Sequence, residues 1–296
     1  MTKGIILAGG KGSRLNPLTL GVTKQLLPLY NKPVIYYPLS ILMMLGIKDI
    51  LIITNLEDKD SFYRLLGNGD NWGIKISYLT QVNPNGIPEA FIIGENFIKD
   101  DNVCLILGDN IFFGHGLVDR LRDGLYTENG ARCFAYEISD PSRYGVIEFN
   151  NAGDIISIEE KPKIPKSNFA IPGIYFFDNR ASSFSKKLKP SNRGELEIID
   201  LLKIYLDEKT LKVSKIGRGT AWLDVGTYDS LLQAGNFIET IEDRQGMMIA
   251  CLEEIALNYG FIYKNQLKKR MENMPDNQYK EYLKKILNGN NRQTKG

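Results

Sequence analysis

Four short apolar runs, residues 5–8, 49–54, 74–79 and 103–107, recur early in the chain with longer segments of helical spacing between them. Each run is compact, apolar and bounded by Gly, Asn or Asp, as a strand covered on both faces must be. Between them, residues 33–45 and 88–98 place apolar side chains at helical intervals, and Gly46 is a natural stop for the first. Pro38 inside that segment predicts a late start or a bend. Strand–helix alternation of this kind predicts an α/β fold, Rossmann-like, with a mostly parallel central sheet flanked by helices. After about residue 130 the strands come closer together, at 131–138, 145–149, 154–159 and 173–177, which predicts an antiparallel or mixed extension of the same sheet. A helix is expected over 195–208. From Thr227 onward a helical C-terminal part follows, with breaks near Gly246, Gly260 and Pro275 and a polar, fraying tail at 288–296. The expected division is a catalytic part over 1–240 and a helical segment over 241–296, both in one compact unit.

Composition excludes several classes. With 296 residues and 43% hydrophobic content, the chain can build its core without a disulfide or metal staple. A net charge of +2 gives no reason to expect nucleic acid or an acidic membrane surface as partner. No apolar run is long enough to span a bilayer, and no signal-peptide core precedes the first strand, so a cytoplasmic protein is expected. Cys104, Cys133 and Cys251 stand far apart with no CxxC pair, which predicts buried thiols in a reducing compartment. Phosphate chemistry in such a chain must come from locally clustered Lys and Arg.

The first strand runs into Leu7-Ala8-Gly9-Gly10-Lys11-Gly12-Ser13-Arg14-Leu15. Glycines at a strand end let backbone N–H groups approach a phosphate without interference from Cβ. A dinucleotide fingerprint starting at Gly10 would need Gly at 15, where Leu15 stands; a Walker A loop would need Ser or Thr after Lys11, where Gly12 stands. Both spacings fail. What is left is a Gly-rich turn with Arg14 just beyond it and Lys24 further on, a rigid fork and a mobile point charge that suit a polyphosphate. The alternative is a tight turn with solvated cations.

This loop, with Lys24-Gln25-Leu26-Leu27-Pro28 and Asn31-Lys32-Pro33, resembles the sugar-phosphate nucleotidyltransferases, and within them the glucose-1-phosphate thymidylyltransferases. Further matches are Tyr36-Tyr37-Pro38-Leu39, Leu107-Gly108-Asp109-Asn110, Tyr144-Gly145-Val146, Glu159-Glu160-Lys161-Pro162, Arg193-Gly194-Glu195-Leu196-Glu197, Gly219-Thr220-Ala221-Trp222-Leu223-Asp224 and Cys251-Leu252-Glu253-Glu254-Ile255-Ala256. The resemblance implies transfer of a thymidylyl group from dTTP to α-D-glucose 1-phosphate by a homotetramer, with Mg²⁺ held by Asp109 and Asp224. It implies that Arg14 grips the β- and γ-phosphates, Lys24 the α-phosphate and Lys161 the sugar phosphate. Gly9, Gly10, Gly12, Ser13, Gln25, Gln81 and Gly86 would bind the nucleotide. Asn110, Tyr144, Gly145, Glu160 and Gly173 would line the sugar pocket. His115, the single histidine, with Arg218 and Glu254, would belong to a second, regulatory site. Open alternatives are UTP or another sugar 1-phosphate as substrate, and a non-catalytic nucleotide-sugar sensor. The sequence departs from the family at Gly86-Ile87-Pro88-Glu89, where Gly-Leu-Ala-Gln is expected, and at Pro172 and Val225, where Thr is expected. Lys264 to Arg270 is expected to be a solvated helix face.

Overall fold

Strands form where alternate residues bury on opposite faces, and Thr2–Ala8 shows the rule: Ile6 and Ala8 point into one apolar cluster, Ile5 into the other. In this computed structural model, which describes residues 1–10, 12–127 and 129–289, a ten-stranded mixed sheet divides those two clusters. Four parallel strands occupy one half, in the order Lys75–Thr80, Asp49–Thr54, Thr2–Ala8 and Asn102–Leu107. Beyond Asn102–Leu107 the pairing turns antiparallel through Ile174–Phe177, Ala131–Glu137, Phe169–Ile171, Gly145–Phe149 and Ile155–Glu160. Leu211–Ile216 adds in parallel beside Ala131–Glu137. The α/β sheet and its antiparallel extension agree with the sequence pattern, although the parallel pairing of Leu211–Ile216 makes the extension mixed.

One face is covered by the helix Tyr36–Met44 and the C-terminal helices Leu252–Asn258, Lys264–Glu272 and Gln278–Leu287. The other is covered by Glu89–Ile93, Glu95–Ile98 and Ile198–Asp207. The first helix starts late, as Pro38 predicts, with the proline in its first turn where no backbone donor is missed. The segment 88–98 is two helices, parted at Gly94, because a Cβ there would press on the Ala90 carbonyl and Ile5. All three cysteines are buried and free. Among the described residues no helix is long and apolar enough to cross a membrane. The tail expected to fray lies, from 290 onward, outside the described residues, as does Lys11 of the Gly-rich loop.

Lys264, Lys268 and Lys269 are exposed, as expected of a solvated helix face, but Arg270 departs from it. Arg270 reaches inward, 2.8 Å from the buried Glu253 carboxylate and 4.8 Å from the Trp72 ring centroid. This anchors the C-terminal helices against the sheet's covering helix layer, a tertiary role that helix periodicity does not reveal.

The hairpin Pro28–Leu29 with Lys32–Pro33 is tied to the long helix Tyr228–Gln245 by a buried ion pair, Lys32 Nζ to Glu242 Oε1 at 2.9 Å. Glu242 Oε1 also accepts from the Ile249 backbone at 2.8 Å. Removing the carboxylate strands a buried ammonium, so Glu242→Ala should destabilise the fold by about 3–5 kcal/mol, read by urea unfolding. A loss below about 1 kcal/mol would show that the pair is not holding the hairpin.

Candidate active site

The chain turns at Gly108, where a Cβ would meet the Leu7 carbonyl at 3.0 Å and Gln25 at 3.1 Å. It then runs back as the strand Asn110–Gly114, antiparallel to Thr220–Asp224, with Asn110 opposite Asp224. Val225 N–H donates to the Asp109 carbonyl at 3.1 Å. This register brings Asp109 and Asp224 to the lining of one cavity, with Asp109 just past the carboxyl end of a parallel strand, where open α/β sheets bind ligands. The frame beneath them is fully hydrogen-bonded: Asn110 Oδ1 accepts from Trp222 Nε1 at 2.6 Å and from Gly173 N–H at 3.1 Å.

Each carboxylate has its own protein partner. Lys24 forms an ion pair with Asp109, and Asn110 Nδ2 donates to the other oxygen at 3.0 Å. Burial pushes the Asp109 carboxyl up, but the Lys24 charge and the hydrogen bonds from Lys24 and Asn110 outweigh it and hold the group below the usual carboxylate range. Asp224 accepts from the Tyr144 hydroxyl at 2.8 Å. Burial, and then the Asp224 charge, push that hydroxyl up to about 12, so it is a proton donor at neutral pH.

Across the cavity, Lys161 lies 3.5 Å from Glu160 and holds a left-handed backbone, φ 43°. Such strain in a non-glycine residue costs of order 1–3 kcal/mol and gathers at functional sites. Arg193 stands 3.8 Å from Glu160 and grips Glu197 at 3.0 Å. Burial raises the Glu160 carboxyl above its ordinary range; Lys161 draws it back, Glu197 adds to the rise, and Arg193 opposes it.

A cavity of about 520 Å³ lies between these groups, lined by Arg14, Asp109, Asn110, Tyr144, Gly145, Glu160, Lys161, Gly173 and Asp224, all singled out in the sequence. Arg143 and Trp222 line it too, and Arg193 stands behind Glu160. Sequence reasoning assigned none of these three a role, although Arg193 and Trp222 lie in matching stretches. Gly12, at φ 61°, starts the short turn Ser13–Leu15 and leaves room for Thr19 and Lys24 behind it. The turn brings the exposed Arg14 guanidinium against Gly226 and Asp224, where a Cβ on Gly226 would stand 3.0 Å from it. Gly9 packs on Gln81, Gly10 is open to solvent, and Gln25 is buried with its Oε1 3.0 Å from the Thr23 hydroxyl. Gly86 bridges Leu196 so closely that no side chain fits there.

The structure does not bring the three regulatory candidates into this cavity. His115 and Arg218 are exposed beside the end of the Asn110–Gly114 and Thr220–Asp224 ladder. Glu254 accepts from the Tyr282 hydroxyl at 2.7 Å, with no bond to either among the described residues.

The family model described as nucleotidyl transferase matches residues 3–241. The chain belongs to that family. It is similar to a glucose-1-phosphate thymidylyltransferase of Neisseria meningitidis, 54% identical over 285 residues that cover 96% of this chain and 99% of the relative. One of Xanthomonas campestris is 53% identical over 281 residues, covering 95% of each chain. A crystal structure from Bacillus anthracis, provisionally named a glucose-1-phosphate thymidylyltransferase and in complex with sucrose, aligns with a TM-score of 0.74 at 40% identity, covering 80% of this chain and 95% of that one.

A nucleotidyltransferase must align two phosphates and disperse their charge, work done by positioning and electrostatics. The cavity has the parts for it. Among the described residues no group of three or more His, Cys, Asp or Glu could hold a metal ion, and the carboxylates that line the cavity besides Glu160 are those of Asp109 and Asp224. That donor set fits a hard divalent cation of the Mg²⁺ kind, which binds through one or two carboxylates and takes its other ligands from phosphates and water.

Glu160 yields a test of stability. Its folded carboxyl titrates above its unfolded range, so the folded state binds more protons and stability falls as pH rises through that range. Glu160→Gln, neutral at every pH, should therefore melt higher than the parent at pH 8, with the difference shrinking towards pH 4. An equal offset at both pH values would contradict the assignment.

Proposed function

We propose that this nucleotidyltransferase transfers a thymidylyl group from dTTP to α-D-glucose 1-phosphate, releasing dTDP-glucose and pyrophosphate, with Mg²⁺ as its metal. The observation that carries this is the cavity that Asp109 and Asp224 line together with Arg14, Glu160 and Lys161, framed by the ladder that pairs Asn110 with Asp224. The names of relatives about half identical over nearly the whole chain support the substrates.

In this reading the sugar-phosphate oxygen attacks the α-phosphorus, the bond from that phosphorus to the bridging oxygen breaks, and pyrophosphate leaves. Asp109 and Asp224 would hold Mg²⁺, which when bound would neutralise charge on the phosphates. Gly9, Gly10, Gly12 and Ser13 offer the polyphosphate a backbone cradle, and Arg14 meets the departing β- and γ-phosphates. Lys24, now paired with Asp109, steadies the α-phosphate. Lys161 holds the sugar phosphate, Glu160 accepts from sugar hydroxyls, and Tyr144 keeps Asp224 turned towards the cavity. Asn110, Gly145 and Gly173 shape the sugar end, and Gln25, Gln81 and Gly86 the base end. Residues 1–240 are the catalytic part and 241–296 a helical segment of the same unit. The chain works in the cytoplasm as a homotetramer, a reading supported by the exposed apolar Leu20 and Leu232. His115, Arg218 and Glu254 are assigned to regulation.

Pyrophosphate release with a panel of nucleoside triphosphates and sugar 1-phosphates tests this directly. Turnover should be fastest with dTTP and glucose 1-phosphate; a preference for UTP would remove the thymidylyl assignment, and no turnover with any pair would remove the reaction. Asp109→Asn should lower kcat by about 10²–10³ when assayed with excess Mg²⁺ well below its melting temperature, which falls because Lys24 loses its charged partner. Lys161→Ala should raise KM for the sugar phosphate much more than KM for the triphosphate.

A further inference from the structure

The departure at Glu89 bears on one buried amide. Gln81, only 4% exposed, follows the strand Lys75–Thr80 and extends to Gly9, where a Cβ would stand 2.7 Å from its Oε1. Gly9 and Gln81 thus both sit at carboxyl ends of parallel strands, beside the Gly-rich loop. The direction of the amide is set by its neighbours. Nε2 lies 2.5 Å from Glu89 Oε2 and 3.5 Å from the Gly86 carbonyl, and Asn85 Nδ2 donates to Glu89 Oε1 at 2.8 Å. An ionised carboxylate and a carbonyl have no proton to give, so only the NH₂ end of the amide can face them. Both amide protons are engaged, and Oε1 accepts nothing from the protein among the described residues.

We propose that Glu89 is a positioning residue that makes Gln81 a dedicated hydrogen-bond acceptor above Gly9, so that the base subsite selects a nucleobase offering a ring N–H. Thymine and uracil carry a proton on N3 and satisfy it. Cytosine presents an unprotonated N3, and two acceptors would face each other. An unconstrained glutamine could rotate its amide and serve either base; Glu89 removes that choice. The inference rests on the nucleotidyl-transfer reading and sharpens its base end, where an amide was expected to offer donor and acceptor together.

The test is a comparison of dTTP and dCTP dissociation constants by calorimetry on the full-length protein with Mg²⁺ present and no sugar phosphate. Glu89→Gln can donate as well as accept, which frees the Gln81 amide, and the dTTP-over-dCTP ratio should fall about tenfold. Glu89→Leu should give a similar fall, while KM for glucose 1-phosphate stays within about twofold for both variants. In a Gln81→Ala background, Glu89→Gln should have no further effect on the ratio, an outcome that a merely structural role would not produce. An unchanged ratio in both variants, or additive losses with Gln81→Ala, overturns the role of Glu89 and leaves the reaction standing. Failure of the parent protein to bind either nucleotide, or equal binding of the two, overturns the role of Glu89; only the former also counts against the reaction.

Discussion

The active cavity depends on a two-stranded ladder that stands apart from the main sheet. Asn110–Gly114 and Thr220–Asp224 pair in one register, and a slip by one residue would turn every side chain to the other face. That register is pinned from both sides. Ile111 and Val225 are buried in one apolar cluster, Phe112 and Trp222 in another, and the Trp222 indole donates to Asn110. Asp109 and Asp224 therefore meet because hydrophobic burial on two faces leaves only one alignment. The site is positioned by the core on which the ladder rests.

Each acidic group in the cavity has its own local partner. Asp109 leans on Lys24, Asp224 on the Tyr144 hydroxyl, and Glu160 on Lys161 and Arg193. The cavity is close to charge-compensated in the protein alone. A phosphate group entering the cavity meets acidic and basic side chains that already have partners, so its binding is an exchange between charge-assisted bonds.

The sheet was largely legible. The strands Asp49–Thr54 and Gly145–Phe149 have the boundaries that their apolar runs predict, and Thr2–Ala8 and Asn102–Leu107 differ only at their ends. The ladder was not. Asn110-Ile111-Phe112-Phe113-Gly114 follows a turn so closely that it reads as loop, and its partner is remote in sequence. Leu211–Ile216 was missed for the opposite reason: Lys212 and Lys215 interrupt its apolar pattern on an outer position beside Ala131–Glu137, where one face reaches solvent. The cavity residues themselves were legible only through the ordered set of matching stretches. No spacing rule connects Asp109 to Asp224 or Lys24 to Asp109, because those contacts exist only after the sheet has closed.

The base end shows what a local departure can do when the framework is retained. Replacing the expected neutral residue by Glu89 puts a charge beside a buried amide, and such a change is destabilising unless that charge is satisfied. Here Gln81 and Asn85 both donate to it, so the carboxylate is accommodated by hydrogen bonds that rigid backbone holds in place. Pro88 just before it removes a backbone donor at the start of Glu89–Ile93, where an initial helix residue has no intrahelical use for one. The two unusual residues are therefore consistent as a pair: Pro88 fixes the entry to the helix, and that entry fixes where Glu89 stands relative to Gln81. A substitution of either alone would leave the other without its structural reason, which ties the composition of this short segment to the orientation of one amide.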